Sequence, residues 1–139
     1  MSVTVLSQGL PLSVPEIERL WSATRDIVRL PDEDIALRVV STAEITELNK
    51  KYRKKDAPTN VLTFSYETEH DVALCLEIAE EEAREHGVDL REYVAWLIAH
   101  AFIHAGGIDH EASPEEEARM REAEEAVLAK SGFSRPAIY

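Results

Sequence analysis

Cysteine is nearly missing from this chain of 139 residues: Cys75 stands alone, so no internal disulfide can form, and a cysteine-based metal site would need ligands that are not there. A reducing interior suits such a chain. Long apolar runs are missing as well. The longest, around Tyr93 to Ala105, is interrupted by His100 and His104 and falls short of a membrane span. No charged-then-apolar leader opens the sequence, so the expectation is a soluble, cytoplasmic protein with no membrane partner. Internal repeats, low-complexity linkers and a glycine-rich phosphate loop are all lacking. Basic residues are scarce too: 15 Lys and Arg against 27 Asp and Glu give a net charge of -12, a field that repels polyanions on average.

What is present is enough apolar material for one core. A hydrophobic content of 45% over 139 residues predicts a single domain spanning residues 1–139. SVTVLS (2–7) alternates like an opening strand. Ser13-Val14-Pro15-Glu16 has the form of a capping box, and the apolar spacing after it predicts a helix from about 15 to 29 that Pro31 ends. DIALRVVS (34–41) returns to period two. Ser41 to Glu44 repeats the capping pattern before a short helix, Asp56-Ala57-Pro58 is turn chemistry, and NVLTFSY and DVALCL (71–76) read as strands joined through YETEH. Helices over about 77–86, 89–105 and 114–131 follow, stopped by Gly87, Gly106-Gly107 and Gly132. Strands early and helices late predict an α+β fold, a small mixed sheet of about four strands packed with helices.

The segment HAFIHAGGIDH (100–110) holds three of the five histidines. Residues four apart on a helix differ by about 40° around its axis, so His100 and His104 share a face one turn apart. A helix this apolar is expected to be buried, where each unsatisfied polar group costs roughly 1–3 kcal/mol. One metal ion satisfies both rings at once. Gly106 and Gly107 can reverse the chain and return His110 toward the pair, giving a site on a helix of the C-terminal half and the turn after it. Three imidazoles suit zinc best, with nickel or another divalent metal as the alternative, and no fourth protein ligand is evident. Such an open position suits a bound water, whose pKa zinc lowers to about 7. Asp109 is expected to orient a ligand or the turn. His70, beside a turn, and His86, beside Gly87 at a helix end, are read as structural, in places where a cation is tolerated.

Charge is unevenly spread. KKYRKK (50–55) carries five of the fifteen basic residues, at a helix C-terminus where the macrodipole accepts positive charge, while residues 77–125 hold fifteen acidic residues against four Arg.

These segments resemble the YbeY endoribonucleases, also described as rRNA maturation factors, in a divergent member. The family hallmark His-Gly-x-Leu-His-Leu-x-Gly-Tyr-Asp-His is similar to HAFIHAGGIDH, which keeps His100, His104, Gly107, Asp109 and His110. LNKKYRKKDAPTNVLTFSY resembles the family's Leu-Asn-x-x-Tyr-Arg-x-x-Asp-x-Pro-Thr-Asp-Val-Leu-Ser-Phe segment, with Asn60 for the usual Asp. HDVALCLEIAEEEA and the acidic helix containing Met120 extend the likeness over most of residues 35–133. Ala101, Ile103, Ala105 and Ile108 depart from the pattern, as does His70 in place of Gly, and all of them leave the histidine trio intact. The resemblance implies a zinc-bearing domain that cleaves single-stranded RNA, acts in 16S rRNA maturation and ribosome quality control, and relies on Arg53.

Under that reading the metal assists hydrolysis of a phosphodiester, and the planar fork of Arg53 clamps the phosphate. Lys50, Lys51, Lys54 and Lys55 add local attraction for RNA. A metalloprotease is a weaker fit, since the zincin general base would stand where Ala101 is. A third reading is a non-catalytic ribosome assembly factor with a structural metal, its acidic remainder suited to a ribosomal subunit or a basic ribosomal protein. For activating the attacking water, Glu111 or a substrate group is what the sequence leaves.

Overall fold

Helix starts in this chain are set by short polar side chains. Ser13, Ser41, Asp89 and Ser113 each accept a hydrogen bond from the amide three residues on, satisfying donors that a first helical turn leaves unpaired. In the computed structural model, which describes residues 3–6, 9–30, 33–107 and 113–137, they open α1 (Val14–Val28), α2 (Thr42–Arg53), α4 (Leu90–Ala105) and α5 (Pro114–Lys130). Helix α3 (Leu76–His86) starts at Cys75 without a side-chain cap. Cys75, expected within a strand, is instead the buried residue between β4 and α3, with its amide bonded to the Asn60 carbonyl at 2.8 Å.

The strands β1 (Val3–Val5), β2 (Asp34–Val39), β3 (Val61–Ser65) and β4 (Glu69–Leu74) form one sheet in the order β1-β2-β4-β3. The first three of that order run parallel; β3 returns antiparallel to β4 through a hairpin and occupies the edge. Among the described residues, five helices and a mixed four-stranded sheet make the α+β fold that the sequence predicts.

Period-two alternation splits the sheet's side chains between two cores. Ile35, Leu37, Val72 and Leu74 face α1, α4 and α5, whereas Leu62, Ala73 and Phe64 join Val40 and Ile45 in a smaller cluster under α2. Helix α4 is central to the larger one. From Tyr93 to Ala105 every residue is buried except His100 and His104, which are half-buried, and Trp21 packs edge-on to Phe102 with ring centres 5.2 Å apart.

Strand β4 begins two residues earlier than its alternation suggests, which draws His70 into the sheet. It is 5% exposed rather than beside a solvated turn. Its two ring nitrogens are satisfied by Ser65 Oγ at 2.8 Å and Glu33 Oε1 at 2.6 Å, so its role is structural by a different route than a tolerated surface cation.

Helices α1 and α4 are clamped at their starts by a bidentate pair, Arg91 Nη1 and Nη2 donating to Glu16 Oε1 and Oε2 at 2.9 and 2.7 Å. The Arg91 hydrogen bonds, followed by the Ser13 amide, lower the Glu16 carboxyl from its ordinary 4.5 to about 2. A carboxyl so depressed stabilises the fold above its unfolded value, and that contribution disappears as pH falls toward the folded one. Glu16→Gln is therefore expected to lower the urea midpoint at neutral pH, with the gap to wild type closing between pH 4.5 and about 2. A gap that stays constant over that interval would exclude the linkage.

Candidate active site

Because α4 is buried nearly all round, its two histidines mark where it reaches a cleft of about 480 Å³. The rings of His100 and His104 lie with centroids 4.9 Å apart and planes at 66°, as the four-residue spacing requires. Helix α5 packs against α4 and α1 and buries Met120, Ala123, Glu124, Val127 and Leu128, so one carboxylate sits within an otherwise apolar stripe. Glu124 is 2% exposed.

Three donors converge on it. His100 Nδ1 lies 2.6 Å from Oε2, while Trp96 Nε1 and Arg135 Nε donate to Oε1 at 2.9 and 2.8 Å. The Arg135 guanidinium also lies over the Trp96 ring, 5.5 Å from its centroid. Burial pushes the Glu124 carboxyl up, and the hydrogen bonds from His100, Arg135 and Trp96 together outweigh it, holding the group below its ordinary range. An ionised carboxylate only accepts, so Nδ1 of His100 carries the hydrogen, and in the neutral ring Nε2 is the nitrogen with a lone pair for a cation. Both Glu124 oxygens are committed to structural partners. Among the described residues, Glu117 is the other carboxylate lining the cleft.

The facing wall comes from the end of α2 and from β3. Asn49, 5% exposed, donates from Nδ2 to the Ala57 carbonyl at 2.8 Å and so pins the connection between α2 and β3. Lys54 closes α2 in the left-handed region at φ 58°. Thr63 Oγ1 donates to the Ala101 carbonyl at 3.2 Å, which fixes the edge strand against the histidine helix. Asn60 is held by Glu82 Oε1 at 2.9 Å, an oxygen that also accepts from the Tyr93 hydroxyl. Arg53, Asn60 and Thr63 thus face Glu117, Met120 and Arg121 of α5 across the cleft. Arg121 is half-exposed, and Glu117 Oε1 lies 3.9 Å from its guanidinium.

Arg53, His100 and His104 therefore share one cavity, as their motifs suggested separately. Lys50, Lys51, Lys54 and Lys55 are exposed around the end of α2 and do not line it; the Lys51 ammonium lies 5.2 Å from the Tyr52 ring centre. His110, Asp109 and Glu111 lie outside the described residues. Among the described residues no group of three His, Cys, Asp or Glu side chains forms a metal site, so the trio is present as its helical pair. The pair fits a divalent cation on its donor chemistry: two imidazoles one turn apart, one of them backed by a carboxylate through Nδ1. Cys75 is fully buried in the smaller core beneath α2 and contributes nothing here.

Sequence reasoning missed Glu124, Trp96 and Arg135. One signal was available. Met120, Ala123, Val127 and Leu128 recur at helical spacing, and Glu124 falls within that stripe, where a carboxylate needs a buried partner.

Three comparisons bear on this arrangement. The family Endoribonuclease YbeY matches residues 15–132. Among curated relatives, endoribonuclease YbeY of Delftia acidovorans is 40% identical over 109 residues, covering 76% of this chain and 72% of its own length. The Albidiferax ferrireducens endoribonuclease YbeY is 44% identical over 110 residues, 76% of this chain and 73% of that one. The solution structure of a Thermotoga maritima protein superposes with a TM-score of 0.62 at 28% identity, covering 99% of this chain and 100% of that one. A fold of helices on a mixed sheet, a histidine pair on its buried helix and an arginine lining the same cleft thus accompany a match over most of the sequence: the chain belongs to the endoribonuclease YbeY family, nuclease hydrolases that act in rRNA maturation.

Proposed function

We propose that the cleft is the active site of a metal-dependent endoribonuclease that cuts single-stranded RNA during 16S rRNA maturation and ribosome quality control. His100, His104 and His110 hold one zinc ion, or another divalent metal, and Arg53 binds the phosphate. The observation that carries this reading is the 2.6 Å contact of His100 Nδ1 with a buried carboxylate, beside a second imidazole in a cleft that also contains Arg53. When bound, such an ion supplies Lewis-acid polarisation of the phosphoryl group and acidifies water.

The chain's own residues do the rest. Arg53 pairs two phosphate oxygens through its planar fork, and its charge persists as negative charge builds up during the reaction. Arg121, on the opposite wall, adds positive charge along the path of the strand. Lys50, Lys51, Lys54 and Lys55, exposed around the end of α2, attract the RNA backbone. Asp109 is assigned the orientation of a ligand or of the chain leading to His110. An rRNA substrate sets the compartment as the cytoplasm, and the acidic remainder of the surface suits a ribosomal subunit or a basic ribosomal protein as docking partner.

Replacing His104 with Ala is expected to abolish both metal uptake, read by elemental analysis, and cleavage of a single-stranded RNA, with the circular dichroism of the fold retained. Cleavage by the metal-free variant would sink the mechanism. Arg53→Ala is expected to lower kcat by about 100-fold, the usual loss for one donor acting on developing charge. Lys50→Ala with Lys51→Ala is expected to raise KM instead, and to flatten the slope of log affinity against log salt by roughly 0.7 for each phosphate that no longer meets an ammonium. A double variant with unchanged KM and slope removes the lysines from the RNA path.

A further inference from the structure

We infer that Glu124 is the positioning residue of the site: it fixes His100 in its Nδ1–H tautomer with Nε2 presented for the metal, and Trp96 and Arg135 in turn fix Glu124. The inference rests on the proposed metal reading and deepens it. Its basis is directional. Glu124 Oε1 is engaged at 2.9 and 2.8 Å by an indole N–H and a guanidinium N–H, groups that donate and never accept. Oε2 is thereby left to face His100 Nδ1 at 2.6 Å, and a carboxylate oxygen there demands a hydrogen on that nitrogen. Arg135 is at the same time stacked on Trp96, and Trp96 stands one helical turn before His100, so the carboxylate is held from three directions at 2% exposure. An imidazole with its outer nitrogen bonded to a carboxylate is oriented and made more basic toward a metal on the other nitrogen.

The same directionality gives a test that activity alone would not. In Glu124→Gln the side chain keeps its shape, but Trp96 and Arg135 can be satisfied only by the amide oxygen. The amide NH₂ must then face His100, turning Nδ1 into an acceptor and moving the ring hydrogen to Nε2. Nitrogen-15 spectra of the imidazoles in the metal-free chain are expected to show the Nδ1–H tautomer of His100 in wild type and the Nε2–H tautomer in Glu124→Gln. Zinc affinity, measured by competition with a chelator, is expected to weaken by about 10- to 100-fold in the variant. The His104 tautomer should be unchanged.

A wild-type His100 found mainly as Nε2–H overturns the inference without any variant, which covers the case of a Glu124→Gln chain that does not fold. A folded Glu124→Gln chain that binds zinc as tightly as wild type overturns it as well. Wild-type protein showing the Nδ1–H tautomer yet taking up no zinc supports the role of Glu124 and overturns the metal reading instead.

Discussion

Among the described residues, the buried carboxylate of Glu124 organises the contact between α4 and α5. A carboxylate removed from water with one partner missing is destabilising by several kcal/mol, and a charge-assisted hydrogen bond returns about 1.5–3 kcal/mol. Glu124 therefore tolerates its 2% exposure because His100, Trp96 and Arg135 all reach it. A leucine at this position would complete the apolar stripe formed by Met120, Ala123, Val127 and Leu128, and would spare the fold the desolvation. The stripe is interrupted where a ring nitrogen has to be aimed. Packing sets where the two helices meet, and the carboxylate sets which way His100 presents its lone pair.

The second half of the site is delivered by strand topology. β3 is an antiparallel edge strand joined to β4 by a hairpin, so the connection before it, residues 54–60, emerges beside α4. Two contacts fix that connection: Asn49 grips Ala57 from inside the helix it follows, and Thr63 ties β3 to the Ala101 carbonyl. Arg53 sits at the junction of a capped helix end and this pinned loop. Two motifs far apart in sequence are thereby brought to one cleft by a single strand-to-helix contact surface, and an error in either pin would displace the arginine relative to the histidines.

Much of this was legible beforehand because it depends on local rules. The caps at Ser13 and Ser41, the hairpin between two alternating segments, and the shared face of His100 and His104 follow from neighbours within four residues. What was not legible depends on tertiary direction. Glu124 is one glutamate among many on an acid-rich helix, and its difference from the exposed Glu122 and Glu125 is which side of α5 meets α4. Arg135 acts from the segment after α5, beyond any periodic signal. His70 looked like a turn residue because strand pairing with β2, which starts β4 at Glu69, is a long-range event. The lysines of the basic run are at the helix end where charge patterning put them, but helical geometry sends Arg53, and not its neighbours, into the cavity.

Local geometry also resolves the apparent conflict between a net charge of -12 and a polyanionic substrate. Screening at physiological ionic strength reduces the reach of a surface charge to about 8 Å, so an RNA bound in the cleft as proposed would respond mainly to the groups that line it. Those are Arg53, Arg121, Arg135 and the two histidines against Glu117 and Glu124. Glu124 is neutralised by its own hydrogen-bonded partners, and Glu117 is offset by Arg121 at 3.9 Å. The remaining acidic side chains shape the long-range approach, where they disfavour indiscriminate adhesion to nucleic acid, while the cleft keeps a short-range positive character.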